Sequence, residues 1–266
     1  MMTDSTVINE SNLSLAWAKA VQEASKAKNT PLCVSIFNFK NGINEDQTIR
    51  SELDLLLKNK RLTSVRETSE TIFPYAYWKQ KNPTAENLVS WYVEKFLPRY
   101  RARIQKSCPN LLKETYFERL VAYKGYNQST DGIEAKTINQ LGKIIDTYKH
   151  YHAKGTNPSP SKYIATFLNP SLDNTNMSPY FKFPCLQQIG FSFANHEITI
   201  SAFYTIQYLM KRGYGNYLGL CNLGLFMSKE TCLPLARINC FVGNPRVDSF
   251  NKIDLQAIFE YIENTN

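Results

Sequence analysis

The strongest constraint on what this chain can fold into lies between Gln187 and Tyr208. Ile189, Phe191 and Phe193 alternate with smaller or polar residues, and Ile198, Ile200 and Ala202 do the same after the pair Asn195-His196. Apolar residues at a period of two put one face of each segment into a core and leave the other outside. Two such runs separated by a short polar turn predict a β-hairpin of Gln187 to Ala194 and Glu197 to Tyr208. Immediately before it stands Phe183-Pro184-Cys185. The proline restricts the approach to the first strand and sets a cysteine at its start, one way to hold a thiolate against a flat ring.

The rest of the chain supplies helices and further strands around that hairpin. Leu15, Trp17, Ala18, Val21 and Ala24 form one stripe of a helix over Leu13 to Lys26, with Ser11 or Asn12 as its cap. Pro31 to Phe39 is short, apolar and β-branched, so it reads as a strand. Asn44 to Asn59 is helical with Ile49, Leu53, Leu56 and Leu57 inward. Thr71-Ile72-Phe73-Pro74 is extended, and two helical windows follow, Ala85 to Phe96 and the basic run Lys95 to Lys106. Lys124 to Lys136 is rich in Gly, Asn, Ser, Thr and Asp and predicts an exposed loop. Thr137 to Tyr151 is helical, and Ala153 to Ser161, with Gly155, Pro158 and Pro160, is a connector. Tyr163 to Leu168 reads as a strand, Asn169 to Tyr180 as a polar loop, Asn216 to Ser228 as a helix, Leu233 to Val242 as a strand and Leu255 to Ile262 as a last helix. Strands and helices interleave irregularly, so the expected class is α/β, or α+β, with a mixed sheet. Residues 1–12 are expected to form a flexible tail and residues 13–266 a single domain.

Composition narrows the classes of function. With 43% hydrophobic and 20% charged residues, 266 residues are enough for a sizeable core. No stretch has the apolar length of a membrane span, and the polar start lacks the order of a signal peptide, so a cytoplasmic location is the default expectation. Six cysteines without a CxxC pair, and three histidines distant from any cysteine pair, predict no metal site. The net charge of +8 permits nucleic acid or another anionic partner. Arg99, Arg101 and Arg103 do not repeat at helical spacing, however, and the favoured reading of that run is a solvated helix face.

The order of several segments resembles the thymidylate synthases and their relatives, the pyrimidine-nucleotide hydroxymethylases, from about Leu15 to Val242. Thr71-Ile72-Phe73 followed by Trp78 is similar to the family's segment that packs against folate. Tyr116-Phe117-Glu118-Arg119 resembles its tyrosine-glycine motif, and Asn139-Gln140-Leu141 its aspartate-glutamine helix start. Tyr163 to Pro170 resembles its strand ending in asparagine, and Pro184-Cys185 its catalytic dipeptide. Tyr217-Leu218-Gly219-Leu220-Cys221-Asn222 resembles its leucine-glycine segment with a pyrimidine-reading asparagine. The resemblance implies a thymidylate synthase-type mixed sheet with surrounding helices, in a symmetric homodimer.

It also implies a chemistry. Carbon 5 of a pyrimidine is a poor nucleophile, and a thiolate added at carbon 6 turns it into an enolate carbon that attacks a one-carbon unit. On this resemblance Cys185 is the nucleophile, Tyr116 helps to move the carbon 5 proton and Glu52 polarises carbon 4. Asn222 holds the ring amide, with Gln187 near the substrate, and Phe73 and Trp78 form the wall for methylenetetrahydrofolate. The pattern departs from the family where phosphate binds. The paired arginines fall on Ser161 and Lys162, and a further arginine-serine pair falls near Thr205-Ile206. Lys162, Lys211 and Arg212 are then the candidate cations for a phosphate. Two functions follow: a one-carbon transferase acting at carbon 5 of a pyrimidine nucleotide or related ring, or a family member without synthase activity that binds a nucleotide-like ligand or a protein partner.

Overall fold

The computed structural model describes residues 5–26, 30–107, 114–129, 132–173, 183–247 and 250–265. Its centre is a mixed six-stranded sheet. The strands are β1 (Thr6–Glu10), β2 (Leu32–Phe37), β5 (Ile164–Thr166), β6 (Leu186–Ser192), β7 (Ile198–Tyr208) and β8 (Leu235–Arg246), in the order β1-β2-β8-β7-β6-β5. β1 and β2 are parallel, as are β7 and β8, and the other neighbours are antiparallel. The hairpin of β6 and β7 is the one the alternation predicts. Asn195 and His196 both take positive φ, 55° and 58°, the backbone that a tight turn matched to the strand twist requires. A register shift between Leu186 and Gln188 lies beside Cys185, where such an irregularity re-aims side chains.

Two expectations from the sequence are corrected here. Residues 6–10 are not a tail: β1 pairs with β2 from Thr6 opposite Leu32 to Glu10 opposite Ile36, and Ile8 is buried. Parallel pairing supplied by a distant strand has no signal in so short and polar a segment. Residues 124–129 and 132–136 are not a loop but most of two paired antiparallel strands, β3 (Tyr123–Ser129) and β4 (Gly132–Ile138). Backbone pairing makes these strands, and their turn-forming composition conceals them. Most of the polar stretch 169–180 lies outside the described residues, after a short helix at Pro170–Asp173.

Helices pack on one face of the sheet. α1 (Leu13–Lys26) lies against β1 and β2, and α10 (Tyr214–Thr231) against β7 and β8. Trp17 of α1 is fully buried and its indole N–H donates to the Leu209 carbonyl at 2.8 Å. α10 is buried nearly all round, including Leu220, Cys221, Leu223, Phe226 and Met227, so it carries no single apolar stripe. α2 (Gln47–Asn59) buries Ile49, Leu53 and Leu57, and starts at Asp46, whose carboxylate accepts from the Thr48 and Ile49 amides. A short helix that the apolar pattern does not reveal, α3 (Val65–Glu70), begins with a reciprocal cap between Ser64 and Glu67.

Where α3 meets α10, glycines of α10 leave the two helices in close contact. A Cβ placed on Gly215 would lie 2.5 Å from Thr68 Cβ and 2.8 Å from the Val65 carbonyl oxygen. One on Gly219 would lie 2.8 Å from Ile72 Cβ and from the Ser69 carbonyl oxygen. Only a residue without a side chain fits such an approach. In an open helix, glycine to alanine is stabilising by about 1 kcal/mol. Gly219→Ala is expected to reverse that sign, because overpacking a filled interface costs about 1–3 kcal/mol. A lower urea midpoint than the wild type checks it, and an unchanged or higher midpoint contradicts the packing described.

Candidate functional site

A cleft of about 560 Å³ opens where the segment Phe183–Cys185 leading into β6, the end of β7, the start of α10 and the helix α7 (Tyr116–Val121) meet, a size that suits one small organic ligand. Cys185 lines it and is partly exposed. The Thr205 amide donates to the Cys185 carbonyl at 3.1 Å, which ties the cysteine's backbone to β7. The cysteine thus stands just before the first residue of β6, with its backbone tied to β7.

Tyr116, at the first turn of α7, brings its hydroxyl to the same place. The Leu186 amide donates to that oxygen at 3.4 Å. Burial pushes the ionisation of Tyr116 well above the usual phenol range. Cys185 adds to the rise, and the backbone donors nearby and Arg212 oppose it. Tyr116 is thus a neutral hydroxyl at ordinary pH, able to donate or accept beside the thiol.

Arg212 reaches the cleft from the segment Leu209–Gly213, a wide turn of π-helix that leads into α10. Its guanidinium donates to the Thr68 hydroxyl at 3.2 Å. The other two cations that line the cleft are already paired. Lys124 meets Glu114 at 2.6 Å. Arg119 forms two hydrogen bonds with Asp173, at 2.6 and 2.7 Å, and lies 3.1 Å from Glu114. Burial works against the charge of Arg119, but the hydrogen bonds and charge of Asp173 outweigh it, so its ionisation is pushed up. Among the described residues, Arg212 is the one lining cation for which no close ion pair is found, although its charge helps to lower the ionisation of Glu67.

Two buried amides complete the floor. Gln207 is 1% exposed and Asn216 is 4% exposed, and both line the cleft. The Tyr217 hydroxyl donates to Gln207 Oε1 at 3.0 Å, while Gln207 Nε2 has no partner among the described residues.

The residues expected from the sequence divide accordingly. Cys185, Tyr116 and Arg212 come together. Asn222 does not join them. It lies within α10, 3% exposed, and faces a second cleft of about 610 Å³ with Arg66, Glu70, Tyr75, Lys79 and Leu218. Asn216 occupies the position by the thiol because it stands nearly two helical turns earlier on α10. Glu52 is exposed on α2 and borders neither cleft, because Ile49, Leu53 and Leu57 take the inward face of that helix. Lys162 is exposed and lies over the Tyr151 ring at 5.6 Å, and Lys211 lies over the Tyr208 ring at 5.8 Å. Gln187 turns back to donate to the Pro184 carbonyl. Phe73 is wholly buried between Trp78, Phe117 and Phe226, so it is core rather than a cofactor wall. Trp78 packs on Phe73, and its indole nitrogen is buried without a partner among the described residues. In the basic run, Arg99, Arg101 and Arg103 are exposed on α6 (Leu97–Ser107), and Arg101 pairs with Glu118.

Sequence reasoning missed Gln207, Asn216 and the pair of Arg119 with Asp173. A glutamine on an alternating strand reads as an outward residue, and nothing local links residues 119 and 173. Neither the family models nor the curated proteins with which the chain was compared give a match. Among the described residues, no helix is long and apolar enough to cross a membrane.

The Arg119 pair carries one wall of the cleft, since Asp173 also accepts from the Asn169 amide at 2.8 Å. Asp173→Ala removes both of its hydrogen bonds to the largely buried Arg119 guanidinium and leaves Glu114 as the remaining carboxylate, and breaking a buried pair typically costs about 3–5 kcal/mol. A denaturant titration is expected to show a loss of that order, and a loss below about 1 kcal/mol contradicts the buried pairing.

Proposed function

We propose that this chain is a cysteine-dependent transferase of the thymidylate synthase kind, acting at carbon 5 of a pyrimidine nucleotide or a related ring. The observation that carries the reading is the convergence of Cys185, Tyr116 and Arg212 on one cleft large enough for such a ligand. The Cys185 thiolate attacks carbon 6 of the ring, the carbon 5–carbon 6 π electrons move towards the carbon 4 oxygen, and carbon 5 becomes nucleophilic. A guanidinium in the same cleft favours the thiolate over the thiol and meets an anionic part of the substrate. Tyr116, neutral and beside the sulfur, passes a proton to or from carbon 5 through water. Asn216 offers the donor and acceptor pattern of an amide to the ring edge, the role expected of Asn222. Arg212 takes the role of the cation sought near Thr205-Ile206.

A one-carbon donor of the folate type suits the second cleft rather than Phe73 and Trp78. Asn222 is a buried amide for which no hydrogen bond to the described residues is found, Tyr75 and Leu218 provide apolar surface, and Arg66 and Lys79 match a carboxylate tail. Bound there, the donor supplies the one-carbon unit; the residues hold and orient it.

A second copy of the chain belongs to the same reading. Thr199, Ser201, Phe203 and Thr205 of β7 point away from the buried face, and Phe203 pairs with Phe241 of β8, both 45% exposed. A cross-strand aromatic pair in the middle of a sheet face is the kind of surface that a two-fold interface covers. Phe241→Glu is expected to convert a dimer to a monomer in sedimentation, and a wild type that is monomeric at every concentration removes the dimer from the reading.

One observation favours binding without turnover: a single unpaired lining cation, among the described residues, for a phosphate that ordinarily takes several. Release of tritium from carbon 5 of labelled pyrimidine nucleotides separates the two. The transferase reading expects release by the wild type and a fall of about a thousandfold or more in Cys185→Ala, of the order seen when an essential nucleophile is removed. Nucleotide binding with no release by the wild type leaves the binding reading alone.

A further inference from the structure

Gln207 stands apart from the other polar groups of the cleft because its two ends are not equivalent. The Tyr217 side chain is fully buried, and the acceptor found for its hydroxyl proton among the described residues is Gln207 Oε1 at 3.0 Å. Turning the amide over would leave that proton without an acceptor in a dry interior, at a cost of about 1–3 kcal/mol. The carbonyl end is thereby held against Tyr217. The amino end, Nε2, is buried, has no partner among the described residues, and belongs to a side chain that lines the cleft. The cleft thus has a donor whose polarity is fixed from behind.

For the Asn216 side chain no such lock is found among the described residues, so it can present either its oxygen or its amino group to a ring. Discrimination between ring edges therefore falls to Gln207. Its position suits the task. The Thr205 amide binds the Cys185 carbonyl, and Gln207 lies two residues further along β7, about 7 Å in an extended strand. That is comparable to the reach from an attacked ring carbon, across a pyrimidine, to a donor on the far carbonyl.

We propose that Gln207, held by Tyr217, is the specificity-determining residue of the cleft, donating from Nε2 to a ring carbonyl and rejecting an exocyclic amine at the same place. This rests on the reading of the cleft as a pyrimidine site and names the ring edge it accepts. A ring that presents N–H₂ there sets donor against donor and leaves both unsatisfied, and sites built on such buried bonds discriminate strongly.

The test compares 2′-deoxyuridine and 2′-deoxycytidine 5′-monophosphates, which share sugar, phosphate and charge and differ only along the carbon 4 and nitrogen 3 edge. Calorimetric affinities are measured for the wild-type full chain, Gln207→Met and Tyr217→Phe. The wild type is expected to prefer the uracil nucleotide by roughly tenfold or more. Tyr217→Phe is expected to bring that ratio close to one with the cytosine nucleotide bound more tightly than before, because the freed amide can turn over. A purely structural role for Tyr217 would instead weaken both ligands alike. Gln207→Met is expected to lose the preference by weakening the uracil nucleotide. A wild type that binds both equally, or variants that keep the wild-type ratio, overturns the assignment of Gln207 while the pyrimidine reading stands. A wild type that binds neither overturns both.

Discussion

The backbone of α10 meets α3 at Gly215 and Gly219 with no side chain of its own between them, and that contact sets the place of Thr68, Arg212 and the amides of α10. α3 contributes Thr68 to one cleft and Ser69 to the other, so a single six-residue helix stands between them. Asn216 and Asn222 lie on opposite sides of the same contact, and six residues of helix put them at different faces. Had α10 carried alanine or larger at residues 215 and 219, α3 would stand further off, and Thr68 would not meet Arg212. The two glycines thus set how close α3 comes to the helix that carries both amides.

A second constraint is electrostatic. The cleft beside Cys185 holds three cations and two carboxylates among its lining residues, and among the described residues Arg212 is the one of the three with no close ion pair. Arg119 and Lys124 hold α7, Asp173 and the start of β3 together. The burial of Arg119 makes that network sensitive to any missing partner. Structural and functional charges therefore share one surface, and they are told apart by what each already touches rather than by residue type. The same distinction applies to the two amides, since among the described residues Gln207 is committed at one end and Asn216 at neither.

Much of the architecture is readable from local pattern. The period of two from Ile189 to Ala202 identified the central hairpin and its turn, and the stripe of Leu15, Trp17, Ala18 and Val21 identified α1 to the residue. The elements that escaped are those stabilised from outside themselves. β1 exists through pairing with β2, and β3 and β4 pair only with each other despite a loop-like composition. α3 has too few residues to show a period, although its cap is written in Ser64 and Glu67. Cys185 and Tyr116 could be named from the chain through the order of segments that resembles the thymidylate synthases, and Arg212 as a candidate cation for a phosphate. Glu52, Lys162 and Phe73 could not be judged, since only packing says which way a helix or an aromatic cluster turns.

The linear order of residues was enough to establish a mixed α/β chain with a hairpin at its heart and a thiol at the entry to it. Period, proline and turn residues act over a few positions, and their physics needs no partner. Three-dimensional packing settled which polar groups reach that thiol. Residues 116, 185, 207, 212 and 216 meet through strand pairing and helix contact over a hundred residues of chain, and burial, which gives an amide a fixed direction or a guanidinium a fixed partner, is a property of the folded interior alone.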